Sequence, residues 1–185
     1  MVTKVQIRKE LLQKRSELTG IQQEQLSTNV FNQLTTWDIL LSRGYFYAYY
    51  PLGKELSLLP LIQWLLDTGR HIALPRVEGD RMDFYEIHSL DEVQKGSFGV
   101  MEPTGQQKVC WEDALCLTPG VGFSTDGGRI GHGAGYYDRY FEKHPRLLRV
   151  GIAYEIQIAD NIPTETTDIP MHWIVTPDKK RKITK

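Results

Sequence analysis

The chain is poor in cysteine. Cys110 and Cys116 are the two it has among 185 residues, too few and wrongly spaced for a disulfide framework or a zinc knuckle, and best read as small buried thiols. It also lacks any apolar run approaching the about 18 residues a membrane span needs, and charges interleave Met1 to Leu18, which excludes a signal peptide. A soluble, intracellular protein is the expectation, placed in the cytoplasm. Neither sign of charge dominates: 22 basic side chains face 23 acidic ones, for a net charge of −1. Without a basic excess or stripe, a nucleic-acid partner is not expected. Internal repeats, low-complexity stretches and interdomain linkers are missing, so 1–185 reads as one domain. Two common phosphate loops are missing as well. A Walker motif would need glycine where Ala48 stands and Ser or Thr where Glu55 follows Gly53-Lys54. A dinucleotide fingerprint would need its last glycine at Tyr136, and Glu155 matches the acidic ribose partner only loosely.

Glycine, by contrast, is concentrated between Thr118 and Phe141, in Thr-Pro-Gly-Val-Gly-Phe-Ser-Thr-Asp-Gly-Gly-Arg-Ile-Gly-His-Gly-Ala-Gly-Tyr-Tyr-Asp-Arg-Tyr-Phe. Gly131, Gly133 and Gly135 carry no Cβ, so positive φ is open to them and consecutive N–H groups can converge on one anion. A helix starting at Tyr136 would aim its unpaired first-turn N–H groups and positive dipole end at the same anion. Arg129 could clamp a phosphoryl group with its guanidinium fork. Asp138 is a hard oxygen ligand suited to the magnesium that accompanies a nucleoside triphosphate. The same alternation of glycine with aromatics also occurs in tight loops, so the residues alone leave both readings open.

Periodicity predicts helices over Lys4 to Leu18, with Val5, Leu11, Leu12 and Leu18 apolar, and over Ile21 to Thr35, with Ile21, Val30, Phe31 and Leu34 toward the core. Lys4, Arg8, Leu11 and Arg15 share one helix face, either solvated or aimed at a polyanion. Tyr45 to Tyr50 is an aromatic strand, Leu58 to Asp67 a helix and His71 to Val77 a strand, together a β-α-β unit. Met82 to His88, Phe98 to Met101, Ala114 to Val121, Arg149 to Tyr154 and Trp173 to Thr176 are further strands, and Asp178 to Lys185 a frayed basic tail. The fold class that follows is α/β, a three-layer α/β/α arrangement with a mainly parallel sheet. Its ligands should collect at the carboxyl ends of strands, where Tyr50, Arg76, the glycine segment and Glu155 are expected.

Over nearly its full length the sequence resembles the 5-formyltetrahydrofolate cyclo-ligase (methenyltetrahydrofolate synthetase) family. The resemblance rests on Lys4-x-x-x-Arg8, Tyr50 to Glu55, Leu74-Pro-Arg-Val77, Gly99-Val-Met-Glu-Pro103, Pro119-Gly-Val-Gly-Phe123, Arg129-Ile-Gly-His-Gly-Ala-Gly-Tyr-Tyr-Asp138 and Asp168. It implies that ATP and 5-formyltetrahydrofolate become 5,10-methenyltetrahydrofolate, ADP and phosphate, with Mg2+ required and a monomer acting on small molecules. Carried over by position, Lys4, Arg8 and Arg129, Ile130, Gly131, His132, Gly133, Ala134, Gly135, Tyr136 and Tyr137 would bind ATP. Tyr50 and Glu55, with His132 to Tyr136, would bind the folate. Asp138 and Asp168 would hold magnesium, and Arg129, Lys4 and Asp138 would carry the chemistry. His132 and Ala134 depart from relatives that have basic residues there, which shifts weight to backbone N–H groups. A sugar-phosphate isomerase or CoA-transferase chemistry on a similar sheet, and a non-catalytic nucleotide-binding relative, are the competing expectations.

Overall fold

A computed structural model describes residues 3–96 and 99–184. Helices α1 (Lys4–Ser16), α2 (Gly20–Thr35) and α3 (Asp38–Leu41) precede β1 (Tyr45–Tyr47), α4 (Leu59–Asp67) and β2 (His71–Glu78). Then come β3 (Arg81–Ile87), β4 (Val93–Lys95), β5 (Met101–Pro103), β6 (Lys108–Val109), β7 (Leu115–Thr118), β8 (Gly122–Ser124) and β9 (Arg129–Ile130). Helix α5 (Tyr136–Lys143), β10 (Leu148–Ile152), β11 (Ile158–Ala159), β12 (Trp173–Val175) and β13 (Lys180–Lys182) complete the order. The main sheet runs β13-β12-β10-β7-β1-β2-β3-β6, and the five strands from β12 to β2 are parallel. Antiparallel β3, β6 and β13 extend its two edges.

Alternation along the strands assigns the two faces. Phe46, Ala48, Ile72, Leu74, Leu115, Leu117, Val150 and Ile152 enter one core with Val30 and Leu34 of α2, Leu40 of α3 and Leu61, Ile62 and Leu65 of α4. Tyr47, Ala73, Cys116 and Ile174 enter the other with Tyr140 and Phe141 of α5 and with Phe123 of β8. The expected three layers are present, but the second face is covered by one helix and a small sheet ordered β11-β8-β9. Nothing in the periodicity announced that sheet, because its strands are two or three residues long.

Helix α1 does not lie on the main sheet. A capping box starts it, with Thr3 Oγ1 accepting from Gln6 N while Gln6 Oε1 accepts from Thr3 N. Ile7 and Leu11 then pack on Val121, Ile130 and Ile162. The approach is so close that a Cβ at Gly122 would stand 2.1 Å from Leu11 Cδ1 and 3.3 Å from the Gln157 carbonyl.

Several expectations need correction. Val5 and Ile21 are 67% and 80% exposed, because neither lies on the stripe its helix buries: Ile7, Leu11 and Arg15 in α1, and Ser27, Val30 and Leu34 in α2. The strand expected to reach Tyr50 ends at Tyr47, where pairing with β7 stops. Of the strand expected over Phe98 to Met101, Phe98 lies outside the described residues and Met101 opens β5. The tail is not frayed over Lys180–Lys182, which pairs antiparallel with Trp173–Val175; an edge strand tolerates such lysines. Cys116 is buried, with its thiol pushed up to about 12 by desolvation, whereas Cys110 is exposed.

Connectivity positions the site. From β1 the chain passes through α4 to β2 on one side, while β7 and then β10 and β12 continue on the other. That reversal opens a crevice at the carboxyl ends of β1 and β7, the expected ligand position in an open parallel sheet. The segments leaving those ends are 48–58, with Tyr50 and Glu55, and 119–135, with the glycines.

Candidate active site

A cleft of about 900 Å³ fills this crevice. Its walls include Lys4 and Arg8 of α1, Tyr50 and Glu55 after β1, Arg129 through Asp138, and Asp168. Every residue singled out from the sequence as a site residue therefore lies in one place, although these come from four separated segments. Arg76 and Glu155, expected nearby, do not join them. The Arg76 guanidinium stacks 3.8 Å from the Tyr85 ring centroid and donates to the Pro103 and Gly105 carbonyls, tying β2 to the end of β5 and the segment after it. Glu155 accepts from Thr176 Oγ1 at 2.7 Å, fastening the turn beyond β12.

The glycine-rich segment is a short hairpin followed by a loop. Arg129 and Ile130 form β9, where Val121 N donates to the Ile130 carbonyl at 2.7 Å. The Ile130 side chain packs with Ile7 and Leu11 of α1, and the residue also lines the cleft. Gly133 and Gly135 adopt φ of 108° and 69°, as the anion-loop reading requires. Gly131 does not have positive φ; its missing Cβ instead admits Arg129, whose Nη1 would lie 2.9 Å from it. Gly135 is the residue immediately before α5, left-handed and without a side-chain cap, so the first-turn N–H groups of that helix open toward the cleft.

Side chains from elsewhere hold this loop in place. Arg8 Nε donates to the Gly131 carbonyl at 2.9 Å. Arg139, not assigned from the sequence, donates to the Ala134 carbonyl at 2.8 Å and the Asp80 carbonyl at 3.1 Å. Its place one helical turn after Gly135 was the available signal. Tyr136 Oη donates to the Gly79 carbonyl, pinning the loop to the β2–β3 turn.

Charges in the cleft neutralise one another. Arg129 Nη2 donates to Asp138 Oδ2 at 2.8 Å, and Ile169 N donates to Asp138 Oδ1 at 3.1 Å. Lys4 Nζ donates to Asp168 Oδ2 at 2.6 Å. The two carboxylates offered for metal binding are thus joined through one backbone step, and each is occupied by a cation offered for phosphate binding. Among the described residues no group of three or more His, Cys, Asp or Glu forms a ready metal site. Two carboxylates beside a phosphate-shaped loop suit Mg2+, which keeps several waters and takes its remaining ligands from substrate phosphates.

At the other end of the cleft, Glu55 Oε2 accepts from Leu52 N at 3.0 Å, and Glu55 Oε1 stands 3.4 Å from His132 Nε2. Burial raises the Tyr49 phenol well above the ordinary tyrosine range, so it remains a donor, to the Leu56 carbonyl at 2.7 Å. Trp111 is not among the cleft's walls; it packs with Tyr45 and His71, which open β1 and β2, and with Tyr47, which closes β1.

Comparison with known proteins matches residues 1–177 to the model of the 5-formyltetrahydrofolate cyclo-ligase family. The chain belongs to this family. Among curated cyclo-ligases, that of Escherichia coli strain K12 is 28% identical over 179 residues, covering 90% of this chain and 96% of that protein. The Haemophilus influenzae protein is 29% identical over 178 residues, covering 92% and 95%. The solved 5,10-methenyltetrahydrofolate synthetase of Aquifex aeolicus superposes with a TM-score of 0.87 at 34% identity, covering 98% of this chain and 93% of that one. The synthetase of Mycoplasma pneumoniae shares the fold, with a TM-score of 0.74 at 23% identity. No helix among the described residues is long and apolar enough to cross a membrane.

Proposed function

We propose that this cyclo-ligase converts 5-formyltetrahydrofolate to 5,10-methenyltetrahydrofolate with ATP as co-substrate, in the cleft between β1 and β7. The observation that carries the reading is the gathering of Lys4, Arg129, Asp138 and Asp168 around a positive-φ glycine loop and an open helix start, with Glu55 across from them. Such a site can bind a triphosphate at one end and a neutral heterocycle with paired N–H donors at the other.

The substrates supply both nucleophiles. The formyl oxygen attacks the γ-phosphorus and ADP departs; N10 of the folate then bonds to the activated formyl carbon. Phosphate leaves with the C–O electron pair, N10 loses its proton, and the methenyl bridge remains. The protein's task is alignment and charge stabilisation. Loop N–H groups and the α5 start bind phosphate oxygens, while Arg129 and Lys4 offset the charge on the moving phosphoryl group. Mg2+ held by Asp138 and Asp168 would supply further positive charge at the phosphates. Glu55 accepts from the aminopyrimidine edge of the pterin, and Tyr50 gives an aromatic wall. A monomer working in the cytoplasm on free small molecules is part of the same reading.

The test is to mix the protein with 5-formyltetrahydrofolate, ATP and Mg2+ and follow the methenyl chromophore. Turnover is expected, and it should vanish without ATP. No chromophore under any nucleotide condition would favour a non-catalytic relative. Replacing Glu55 by Gln should raise the folate KM by roughly tenfold or more, as expected when a buried acceptor loses its charge, and leave the ATP KM nearly unchanged. An unaltered folate KM would remove Glu55 from the folate site.

A further inference from the structure

The face shared by Lys4, Arg8, Leu11 and Arg15 is accounted for in three of its four members: Lys4 meets Asp168, Arg8 holds the glycine loop, and Leu11 seats α1 on β8. Arg15 remains. Its side chain and that of Glu55 are 9% and 8% exposed, and its Nη1 stands 4.0 Å from Glu55 Oε1. That nitrogen is buried and has no hydrogen-bond partner. A buried guanidinium nitrogen in that condition costs free energy unless a nearby charge compensates it.

The distance is informative. At 4.0 Å the two charges attract strongly in a dry setting, yet Arg15 itself takes up none of the carboxylate's lone pairs; Leu52 N and His132 Nε2 meet one oxygen each, and a carboxylate has about four acceptor sites. A carboxylate that must accept two N–H donors from a ligand needs this combination: a nearby counter-charge that offsets its burial without hydrogen-bonding it, and acceptor capacity to spare on its oxygens. Resting on the folate reading of Glu55, we propose that Arg15 is a positioning residue for folate recognition, a buried counter-charge that holds the Glu55 carboxylate aimed into the cleft.

The segment carrying Glu55 is anchored to the same end of α1. Lys54 Nζ donates to the Ser16 and Leu18 carbonyls, and Glu55 N donates to the Leu52 carbonyl at 3.1 Å, closing a turn around Gly53, whose φ is 56°. One helix therefore touches the phosphate loop with its first two turns and the folate turn with its last. Besides Arg15, the groups facing Glu55 are His132 from the glycine loop and the phenols of Tyr49, Tyr137 and Tyr154 from the surrounding walls. Lys54 in its own turn is directed away, onto α1. Arg15 is thus the permanent cation at Glu55, while His132 is half-exposed and charged only when protonated.

The experiment compares Arg15→Met, Arg15→Lys and Glu55→Gln with the parent in the chromophore assay. Arg15→Met is expected to raise the folate KM by roughly tenfold to a hundredfold, the range for truncating one partner of a buried charge pair, while changing the ATP KM and kcat by less than about threefold. Arg15→Lys should restore most of the affinity, and in the E55Q background Arg15→Met should add little. Should Arg15→Met not fold, Arg15→Lys alone and with E55Q completes the cycle: its effect on folate KM must disappear in the double variant. An unmoved folate KM in Arg15→Met, with E55Q raising it, overturns the role of Arg15 and leaves the folate site standing. Equal rises in both KM values with a lowered Tm and no rescue by Lys would make Arg15 merely structural. An unmoved folate KM in E55Q overturns both readings.

Discussion

Asp138→Asn is expected to lower kcat by about two to three orders of magnitude while changing the folate KM by less than about threefold. The carboxylate sits at the first turn of α5, with Oδ1 accepting from Ile169 N and Oδ2 from Arg129. Asparagine can keep one acceptor and the volume but not the charge, so it removes what a hard divalent cation requires. The loss falls on kcat because charge on the transferring phosphoryl group is felt most in the transition state. A second readout separates metal binding from scaffolding. Without Asp138 as a partner, Arg129 is free for phosphate, so ADP binding in the presence of a chelator should be unchanged or tighter in the variant. The tightening that Mg2+ brings to the parent should be lost. Equal losses in kcat and folate affinity, or an unshifted Mg2+ dependence, would count against the role.

How much of this was legible in the letters depended on whether local rules or tertiary contacts decide each feature. The β-α-β unit over β1, α4 and β2 was readable because burial on both sheet faces makes Phe46, Tyr47, Ile72, Ala73 and Leu74 continuous apolar runs. Gly133 and Gly135 announced the positive φ they adopt. The small sheet was not readable, since β9 and β11 have two residues each and exist through pairing with β8. The edge strand β13 was hidden for the same reason: Lys180 to Lys182 has no apolar alternation, and its order comes from pairing with β12. The helix faces were half legible. Lys4, Arg8 and Arg15 were seen to share a face, but only the packing of α1 on Gly122 turns that face inward. Arg76 shows the opposite failure, a cation at a strand's carboxyl end that the fold spends on two backbone carbonyls.

Arg129→Met is expected to lower kcat by roughly three orders of magnitude or more, in the range for cations that stabilise a transferring phosphoryl group, and to raise the ATP KM as well. The arginine side chain is 5% exposed, it lies 5.2 Å from the Tyr137 ring centroid, and its Nε has no hydrogen-bond partner. A buried guanidinium held on one carboxylate and one distant carbonyl, Pro119 at 3.4 Å, has donors to spare for an anion. Arg129→Lys should recover only part of the rate, because an ammonium keeps the charge but not the planar fork. The alternative is that Arg129 serves only to neutralise Asp138, and a double variant distinguishes the two. If neutralisation were its whole task, adding Asp138→Asn to Arg129→Met would restore activity by removing the stranded carboxylate. If each group acts on the phosphoryl charge, the double variant stays at or below the slower single variant, whereas its Tm recovers, since the unpaired charge is gone. Restored turnover in the double variant would sink the phosphoryl role of Arg129, and the opposite movement of rate and stability would establish it.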